Sequence, residues 1–190
     1  MRALSVRLPG LVVIQPAVHR DERGFFSETY RHNWHSELGI PAQKQFVQDN
    51  HSRSTRGVVR GMHLQVGDGV AKLVRCARGA ILDVAVDVRK GSPTYGRWEA
   101  VELDEHSMRA LYVPVDFAHG FCVLSEQADV LYKQTAYYDP ELERGIAYND
   151  PDVGIEWPLP ADELVVSARD AAAPTLREIA DELPFRFEVP

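Results

Sequence analysis

An arginine and a histidine lie three residues apart in an apolar, glycine-bounded segment, residues 57–65 (GVVRGMHLQ). Charged side chains are rare in such surroundings unless they have a partner or a function. Histidine is the side chain best suited to accept a proton as a general base, which makes His63 a candidate for that role. The alternative, an ordinary histidine that is hydrogen-bonded and partly buried, fits the local sequence equally well. Arg60 adds a cation that a shared site could use.

Further residues along the chain could complete such a site, and each also has an ordinary structural explanation. Asp170 could fix the ring of His63, as a carboxylate usually does for a histidine base, or it could form a turn or cap before the last helix. Lys72 shares a strand face with apolar residues, so it either reaches solvent at an edge or serves a pocket. Tyr132 could be an acid or a core tyrosine, and His119 could line the site or pack in a loop.

Strict strand alternation places Arg60 and His63 on opposite faces of one strand. A shared site therefore requires a strand end or a β-bulge between them. Gly61 lies at that point and is the residue that best tolerates a bulge. Spacing by itself does not establish the shared site.

The same segment argues against a bound metal. Jelly-roll barrels often bind a metal through a His-x-His pair, whereas this chain has His63, Leu64 and Gln65 in sequence. Scattered single ligands bind a transition metal poorly. We therefore predict no catalytic metal. The chain also has no serine or cysteine nucleophile motif and no glycine-rich phosphate loop.

Short runs rich in Val, Ile, Phe and Tyr dominate residues 11–135, separated by Gly, Pro, Asp and Ser. This pattern is typical of an antiparallel sheet protein, and among sandwiches and barrels we favour a jelly roll. Residues 79–89 alternate, with apolar residues on one face and Asp83 and Asp87 on the other, which predicts a half-buried strand. Turn sequences predict tight hairpins at residues 67–69 and 91–93.

Helices are predicted at two places. One covers residues 31–38 and is ended by Gly39, and the other covers residues 174–182 with Pro174 in its first turn. The proline-rich residues 151–160 are interpreted as a structured excursion and not as a domain boundary.

The composition fits one globular domain. The chain has 190 residues, 45% of them hydrophobic, so we predict a single domain over residues 1–190. A formal net charge of -7 argues against nucleic acid or an anionic membrane as a partner, although a local arginine cluster could still bind a phosphate. Cys76 and Cys122 lie in apolar runs, as buried thiols of a reduced protein do. The absence of a secretory or bilayer-spanning pattern predicts a cytoplasmic protein.

A series of motifs in one order makes the chain resemble, over nearly its whole length, the dTDP-4-dehydrorhamnose 3,5-epimerase family. Members of that family are homodimeric jelly rolls of the cupin type. The resemblance therefore implies a mainly β fold, a jelly-roll sandwich or barrel with a few short helices, including one near the C-terminus. The motifs are residues 21–28 (DERGFFSE), 48–52 (QDNHS), 60–63 (RGMH), 91–98 (GSPTYGRW), 117–121 (FAHGF), 131–133 (LYK), 149–151 (NDP) and 155–158 (IEWP).

The resemblance also implies roles for individual residues. His63 would remove a proton next to the sugar ketone while Asp170 holds its ring, and Tyr132 would be the acid on the opposite face. Lys72 and Arg60 would stabilise the enolate oxygen. The implied binding residues are His119 in the pocket, Gln48, Asn50, Glu143 and Arg169 against the nucleotide sugar, and Arg23 and Glu28 from the neighbouring subunit, with Phe26 lining the same shared wall.

The activity that the resemblance implies is a cofactor-independent epimerisation. A ketone at carbon 4 acidifies the hydrogens at carbons 3 and 5, so a base, an acid and positive charge at the oxygen suffice to invert both centres. The implied reaction converts dTDP-4-dehydro-6-deoxy-D-glucose into dTDP-4-dehydro-L-rhamnose, in the synthesis of dTDP-L-rhamnose or a related deoxysugar. Its partners would be this dTDP-sugar and a second copy of the chain.

Three alternatives are open at this point. A mono-epimerase would invert one of the two carbons and keep the same acid and base. A non-catalytic sugar-binding cupin would need no such pair. A metal-dependent cupin oxygenase or isomerase is disfavoured by Gln65.

Overall fold

The computed structural model of the chain describes residues 1–4, 6–33, 37–38, 40 and 45–188. Its helices are short, and the predicted mainly β fold with a few short helices, one of them near the C-terminus, is confirmed. The elements in chain order are β1 (Arg2–Leu4), β2 (Val12–Gln15), β3 (His19–Asp21), β4 (Gly24–Phe26), β5 (Gln48–Thr55), β6 (Val58–Gln65), β7 (Lys72–Arg78), β8 (Ala80–Asp87), β9 (Trp98–Asp104), β10 (Ala110–Val113), β11 (Phe117–Val123), β12 (Gln127–Gln134), β13 (Glu143–Gly145), β14 (Val165–Val166), α1 (Ala168–Ala171) and α2 (Leu176–Ile179), with 3-10 turns at Ala161–Glu163 and Ala180–Glu182.

Strands β5 to β12 are arranged as a jelly roll. β5 pairs with β12, β6 with β11, β7 with β10 and β8 with β9, all antiparallel. These nested pairs produce a first sheet in the order β1-β2-β10-β7-β12-β5 and a second sheet in the order β13-β6-β11-β8-β9, to which β14 adds in parallel beside β6. Two Greek-key sheets connected in this way are the jelly-roll topology. β3 and β4 form a separate two-stranded hairpin.

Apolar side chains of the two sheets meet in the interior of the sandwich. Val74 and Val130 from the first sheet and Ile81 and Val123 from the second belong to one buried cluster. Complete burial of such a side chain stabilises the fold by about 1.5–3 kcal/mol. This packing holds the two sheets in one position relative to each other, so the polar residues on their inner faces are also held at defined positions.

A C-terminal segment covers the outer face of the second sheet and is fastened by polar contacts. Asp150, which is buried, accepts a hydrogen bond from the backbone N of Leu176 at 2.7 Å. Trp157 Nε1 donates to the carbonyl of Tyr148 at 2.8 Å. Two of the motifs in the sequence are thus structural, because they hold the segment that carries Asp170.

Strand β8 is buried on both faces, so the prediction of a half-buried strand is wrong. Asp83 and Asp87 are 0% exposed because their face looks into the sandwich, while the alternate face packs beneath the C-terminal segment. Each carboxylate has a buried basic partner there: Asp83 contacts His119 and Asp87 contacts Arg89. Alternation separated the two faces correctly but did not show that both of them are covered.

The predicted tight hairpins are also corrected. The turn at residues 67–69 connects β6 to β7, and these strands lie in different sheets. β8 and β9 do pair directly, but residues 88–97 form a long connection between them. In a jelly roll most consecutive strands cross between sheets, so turn residues do not imply a hairpin.

The predicted C-terminal helix is present as α2 followed by a 3-10 turn. It begins later than expected, because Thr175 is the N-cap and forms a capping box with Glu178, which places Pro174 before the cap. The predicted helix at residues 31–38 falls partly outside the described residues. Within it residues 31–33 are not helical and residues 37–38 are. Helix α1 was not predicted.

Two further observations concern the cysteines and the lengths of the helices. Cys76 and Cys122 are free and buried, as predicted. Throughout the ranges that the structure describes, no helix combines the length and the apolar character that a membrane crossing requires.

Candidate active site

A cavity of about 490 Å³ opens at one end of the sandwich, between the inner faces of the two sheets. A second cavity of about 330 Å³ adjoins it and shares four of its lining residues, among them His63 and Lys72. The first cavity is lined by predicted site residues from both sheets and from the C-terminal segment: Arg60, His63, Lys72, His119, Tyr132, Glu143, Arg169 and Asp170. The second adds Gln48 and Asn50.

A β-bulge brings Arg60 and His63 to the same face of β6. His63 pairs with His119 across the β6–β11 ladder, and Arg60 pairs with Phe121, so two residues of β6 lie opposite the single residue 120 of β11. Phe121 belongs to the interior cluster, which shows that the shared face looks into the sandwich. The bulge that a shared site requires is therefore present between Arg60 and His63.

Gly61 makes this bulge possible. Gly61 has a φ of 130°, and a Cβ on it would lie 2.5 Å from the Cα of Gly120 on β11. Any larger residue would force the two strands apart and displace His63 together with the bulge. The position expected from the sequence is thus the position at which the chain bends.

Asp170 holds the ring of His63. Its Oδ1 lies 2.7 Å from Nε2 of His63, and its backbone N donates to the hydroxyl of Ser167, the N-cap of α1. Burial acts to raise the pKa of Asp170, but hydrogen bonds from His63 and from the backbone N of Gly61 outweigh burial and leave that pKa below its usual value. An ionised Asp170 accepts the proton on Nε2, so Nδ1 is the nitrogen of His63 that can act as a base.

Lys72 is buried at the cavity wall, which favours the pocket explanation over the edge explanation. Its Nζ donates to the carbonyl of His63 at 3.1 Å. Burial lowers the pKa of Lys72 to about 8, although Glu143 and Asp83 act in the opposite direction. The ammonium of Lys72 is therefore a cation in a poorly solvated place, where its field on a nearby oxyanion is strong.

Tyr132 faces the cavity from the first sheet, across from His63 on the second. It is half-buried, and its ring packs against the interior cluster while it lines both cavities. Burial is the main reason that the pKa of Tyr132 lies above its ordinary value, so its phenol carries a proton at neutral pH. The two explanations for Tyr132, core residue and site residue, are compatible.

The rim of the cavities is polar and ordered. Glu143 accepts a hydrogen bond from the phenol of Tyr138 at 2.7 Å and forms an ion pair with Arg169 at 2.5 Å. Gln48 and Asn50 both donate to the side-chain oxygen of Gln134. These residues approach from three separate chain regions, so the rim depends on the whole fold.

Sequence reasoning missed several polar residues of this site. Ser54, on β5, accepts a hydrogen bond from Arg60 Nε at 3.0 Å, and Asp83 lies against His119. The signal for Asp83 was a carboxylate inside a strand that is otherwise almost wholly apolar. Ser54 and the rim residue Tyr138 carried no local signal.

Three predicted site residues lie away from the cavities of this single chain. Arg23, Glu28 and Phe26 belong to or directly follow the β3–β4 hairpin and are exposed, Phe26 to 71%. Arg23 pairs with Asp21 on the hairpin, and Glu28 pairs with Arg31. The fold of a single chain therefore does not bring them to His63.

The side chains near the cavity do not resemble a metal centre. Within the described part of the chain no three His, Cys, Asp or Glu side chains cluster closely enough to hold a metal ion. Gln65, which occupies the place of a second histidine, is held by hydrogen bonds with the backbone of Tyr137 and Asp139.

Comparison with known proteins identifies relatives over the full fold. The sequence model of the dTDP-4-dehydrorhamnose 3,5-epimerase family matches residues 5–178. The dTDP-4-dehydrorhamnose 3,5-epimerase of Salmonella typhimurium is 49% identical over 177 residues, which is 93% of this chain and 96% of the relative. A dTDP-4-dehydrorhamnose 3-epimerase of Streptomyces niveus is 42% identical, covering 95% of this chain and 86% of the relative.

A solved structure superposes closely. It is the dTDP-6-deoxy-D-glucose-3,5-epimerase of Legionella pneumophila in complex with dTDP-4-keto-L-rhamnose. The TM-score is 0.93 at 44% sequence identity, and the match covers 99% of both chains.

Proposed function

The chain belongs to the dTDP-4-dehydrorhamnose 3,5-epimerase family, and we propose that it converts dTDP-4-dehydro-6-deoxy-D-glucose into dTDP-4-dehydro-L-rhamnose by inverting carbons 3 and 5. One observation carries the chemistry: a histidine with a carboxylate partner and a protonated tyrosine face one cavity from opposite sheets, with a buried lysine beside them. Inversion requires a proton to leave one face of a carbon and another to arrive on the opposite face.

The reaction begins at the ketone. His63 Nδ1 removes the proton from a carbon next to carbon 4, and the electron pair of that C–H bond moves onto the ketone oxygen as an enolate. Lys72 and Arg60 stabilise this oxyanion, and their stabilising effect is strongest where water is excluded. Tyr132 then delivers a proton from the opposite wall and the ketone re-forms. His63 then releases its proton to water and Tyr132 regains one from water, after which the same steps at the second carbon complete the conversion, with no change in oxidation state and therefore no cofactor.

Binding of the nucleotide part is assigned to the cavity rim. Gln48, Asn50, Glu143 and Arg169 approach there, and His119 contributes within the pocket. Arg169 is a cation suited to a diphosphate, although its ion pair with Glu143 must rearrange for that contact.

The remaining residues come from a second copy of the chain. The β3–β4 hairpin stands apart from both sheets and exposes Phe26, and an isolated two-stranded hairpin is only marginally stable in water. A homodimer in which each hairpin docks on the other subunit gives it support and carries Arg23, Glu28 and Phe26 to the neighbouring cavity. We include this homodimer and a cytoplasmic location in the proposal.

The second candidate function is a mono-epimerase, because one relative of the chain carries that name. The relative from Streptomyces niveus is named a 3-epimerase and aligns over 95% of this chain. Such an enzyme uses the same base and acid but processes one carbon. A non-catalytic sugar-binding protein has no use for the His63–Asp170 pair and Tyr132 together.

Labelling in deuterated water tests the proposal and separates the candidates. The protein is incubated with dTDP-4-keto-6-deoxyglucose in D₂O, and NMR measures deuterium and configuration at carbons 3 and 5. Label and inversion at both carbons are expected from the 3,5-epimerase, and at one carbon from a mono-epimerase. His63→Ala serves as the base-free control. Absence of label with the unaltered protein contradicts both enzymatic functions.

A further inference from the structure

The cavity contains a second histidine–aspartate pair beside the first. His119 on β11 and His63 on β6 are direct cross-strand partners, so their side chains project from the same face. Each ring has Nε2 at 2.7 Å from a carboxylate oxygen, of Asp83 for His119 and of Asp170 for His63. The proposed reaction uses the His63–Asp170 pair as the base and gives Asp83 no role.

The surroundings of Asp83 fix where the proton between it and His119 resides. Asp83 is 0% exposed, and its second oxygen has no hydrogen-bond partner among the residues that the structure describes. Its first oxygen lies 2.7 Å from Nε2 of His119, and a carboxylate in contact with a ring nitrogen ordinarily accepts the hydrogen bond, so the proton is assigned to Nε2 of His119.

His119 is then a neutral ring with its free lone pair on Nδ1. The pKa of His119 is lowered, mainly because the ring is buried. The carboxylate of Asp83 on β8 acts to raise this pKa, whereas the charges of Lys72 on β7 and His63 on β6 act to lower it further. Among the described residues Nε2 is engaged with Asp83 and Nδ1 has no protein partner. The ring lines the cavity, so Nδ1 is the nitrogen available to a ligand there.

We propose that Asp83 is a positioning residue that fixes His119 as the Nε2–H tautomer and so makes His119 a hydrogen-bond acceptor for a sugar hydroxyl. Lys72 and Arg60, the cations assigned to the enolate oxygen, can only donate hydrogen bonds, which suits a ketone or enolate oxygen. An acceptor suits a hydroxyl and offers nothing to a carbonyl oxygen. The sugar is thereby oriented, with its ketone toward the cations and a hydroxyl toward His119. This inference rests on the proposed function and names the group on the substrate that His119 recognises.

Nitrogen-15 NMR of the histidine side chains tests the tautomer without any assay of activity. In the unaltered, labelled protein the shifts of His119, assigned by comparison with His119→Gln, are expected to be those of a neutral Nε2–H ring. An Nδ1–H ring or an imidazolium between pH 6 and 8 overturns the inference. Because this measurement needs no turnover, it stands even if the protein does not epimerise the proposed substrate.

Kinetics test the hydroxyl. Asp83→Asn replaces an acceptor by an amide whose NH₂ can donate to Nε2 and force the proton onto Nδ1, turning His119 from acceptor into donor. We expect kcat/KM for the full substrate to fall tenfold or more, mainly through KM, because a buried hydroxyl loses its partner. Asp181→Asn, which removes an exposed carboxylate that lines neither cavity, is the charge control.

Substrate analogues that lack the hydroxyl at carbon 2 or at carbon 3 complete the test. One of them should have a low kcat/KM with the unaltered protein. Its kcat/KM should fall much less in Asp83→Asn than that of the full substrate does. Equal losses for the full substrate and both analogues overturn recognition of a hydroxyl. If Asp83→Asn does not fold, the analogue series with the unaltered protein still decides, since undiminished kcat/KM for both analogues excludes a hydroxyl contact.

Discussion

Asp170 Oδ1 lies 2.7 Å from Nε2 of His63, and the other oxygen of the same carboxylate accepts a hydrogen bond from the backbone N of Gly61 at 3.3 Å. One side chain therefore fixes both the ring of the base and the bulge that turns the ring into the cavity. Helix α1, too short to be stable by itself, holds Asp170 through the cap at Ser167.

Asp170→Asn should keep the fold and slow proton exchange at carbons 3 and 5 by about 100-fold or more. The amide keeps the shape but removes the charge that supports a protonated ring, and its NH₂ can pair with Nε2 and move the ring proton onto Nδ1. Deuterium incorporation followed by NMR measures the change. Asp152→Asn, which removes an exposed carboxylate paired with Arg177, is the matched control. An unchanged exchange rate would make Asp170 merely a cap residue.

The sequence was informative where a local rule has one physical solution. A charged pair at spacing three needs a bulge, and Gly61 is where the bulge lies. The sequence was less informative about Asp83, because alternation defines the two faces of β8 but the partner sheet and the C-terminal segment, which bury both of them, come from distant parts of the chain. The partners of the rim are also non-local, as Glu143 and Arg169 meet through strands and a helix far apart in the chain.

The pH dependence of kcat/KM should report Lys72. Its pKa of about 8 in the folded chain means that the cation needed at the oxyanion is lost as pH rises above 8, so kcat/KM should fall there. Lys72→Arg stays charged and should move this limb to higher pH, whereas Lys72→Met should lose activity at every pH. A descending limb that is unchanged in Lys72→Arg would assign it to another group.

The same titration of Lys72 that lowers kcat/KM as pH rises should raise the free energy of unfolding. The folded pKa of about 8 lies below the ordinary value of 10.5, so the folded state binds fewer protons than the unfolded state between these values. The free energy of unfolding from this residue therefore rises with pH from about 8 to 10.5. At pH 7 Lys72→Met should raise that free energy by roughly 1–3 kcal/mol, measured by urea denaturation. A loss of stability at pH 7 would contradict the buried, charged lysine.

Mixed dimers test whether the β3–β4 hairpin serves the neighbouring cavity. His63→Ala and Arg23→Ala chains, each with a different tag, are co-expressed and the heterodimer is purified. If the cavity is shared, one site of the heterodimer carries both changes and the other carries neither, so about half the unaltered activity should return. If each hairpin serves its own chain, every site carries one change and activity stays low. A fully active monomer in sedimentation would also refute the shared site.

Tyr132→Phe should separate proton removal from inversion. The substitution keeps the ring and its packing against the interior cluster and deletes the phenol, which is needed to deliver the new proton but not to remove the old one. His63 and Asp170 on the opposite wall are untouched, so deprotonation should persist, and the proton should return from the original face or from water. Inversion should fall about 100-fold or more while deuterium exchange falls less, which raises the ratio of exchange to inversion above that of the unaltered enzyme.

Tyr95→Phe, which deletes a phenol in the cluster beneath the C-terminal segment, should leave the ratio unchanged. If exchange and inversion decline in proportion in Tyr132→Phe, the proton comes from another group, and Tyr132 acts by packing against the sugar.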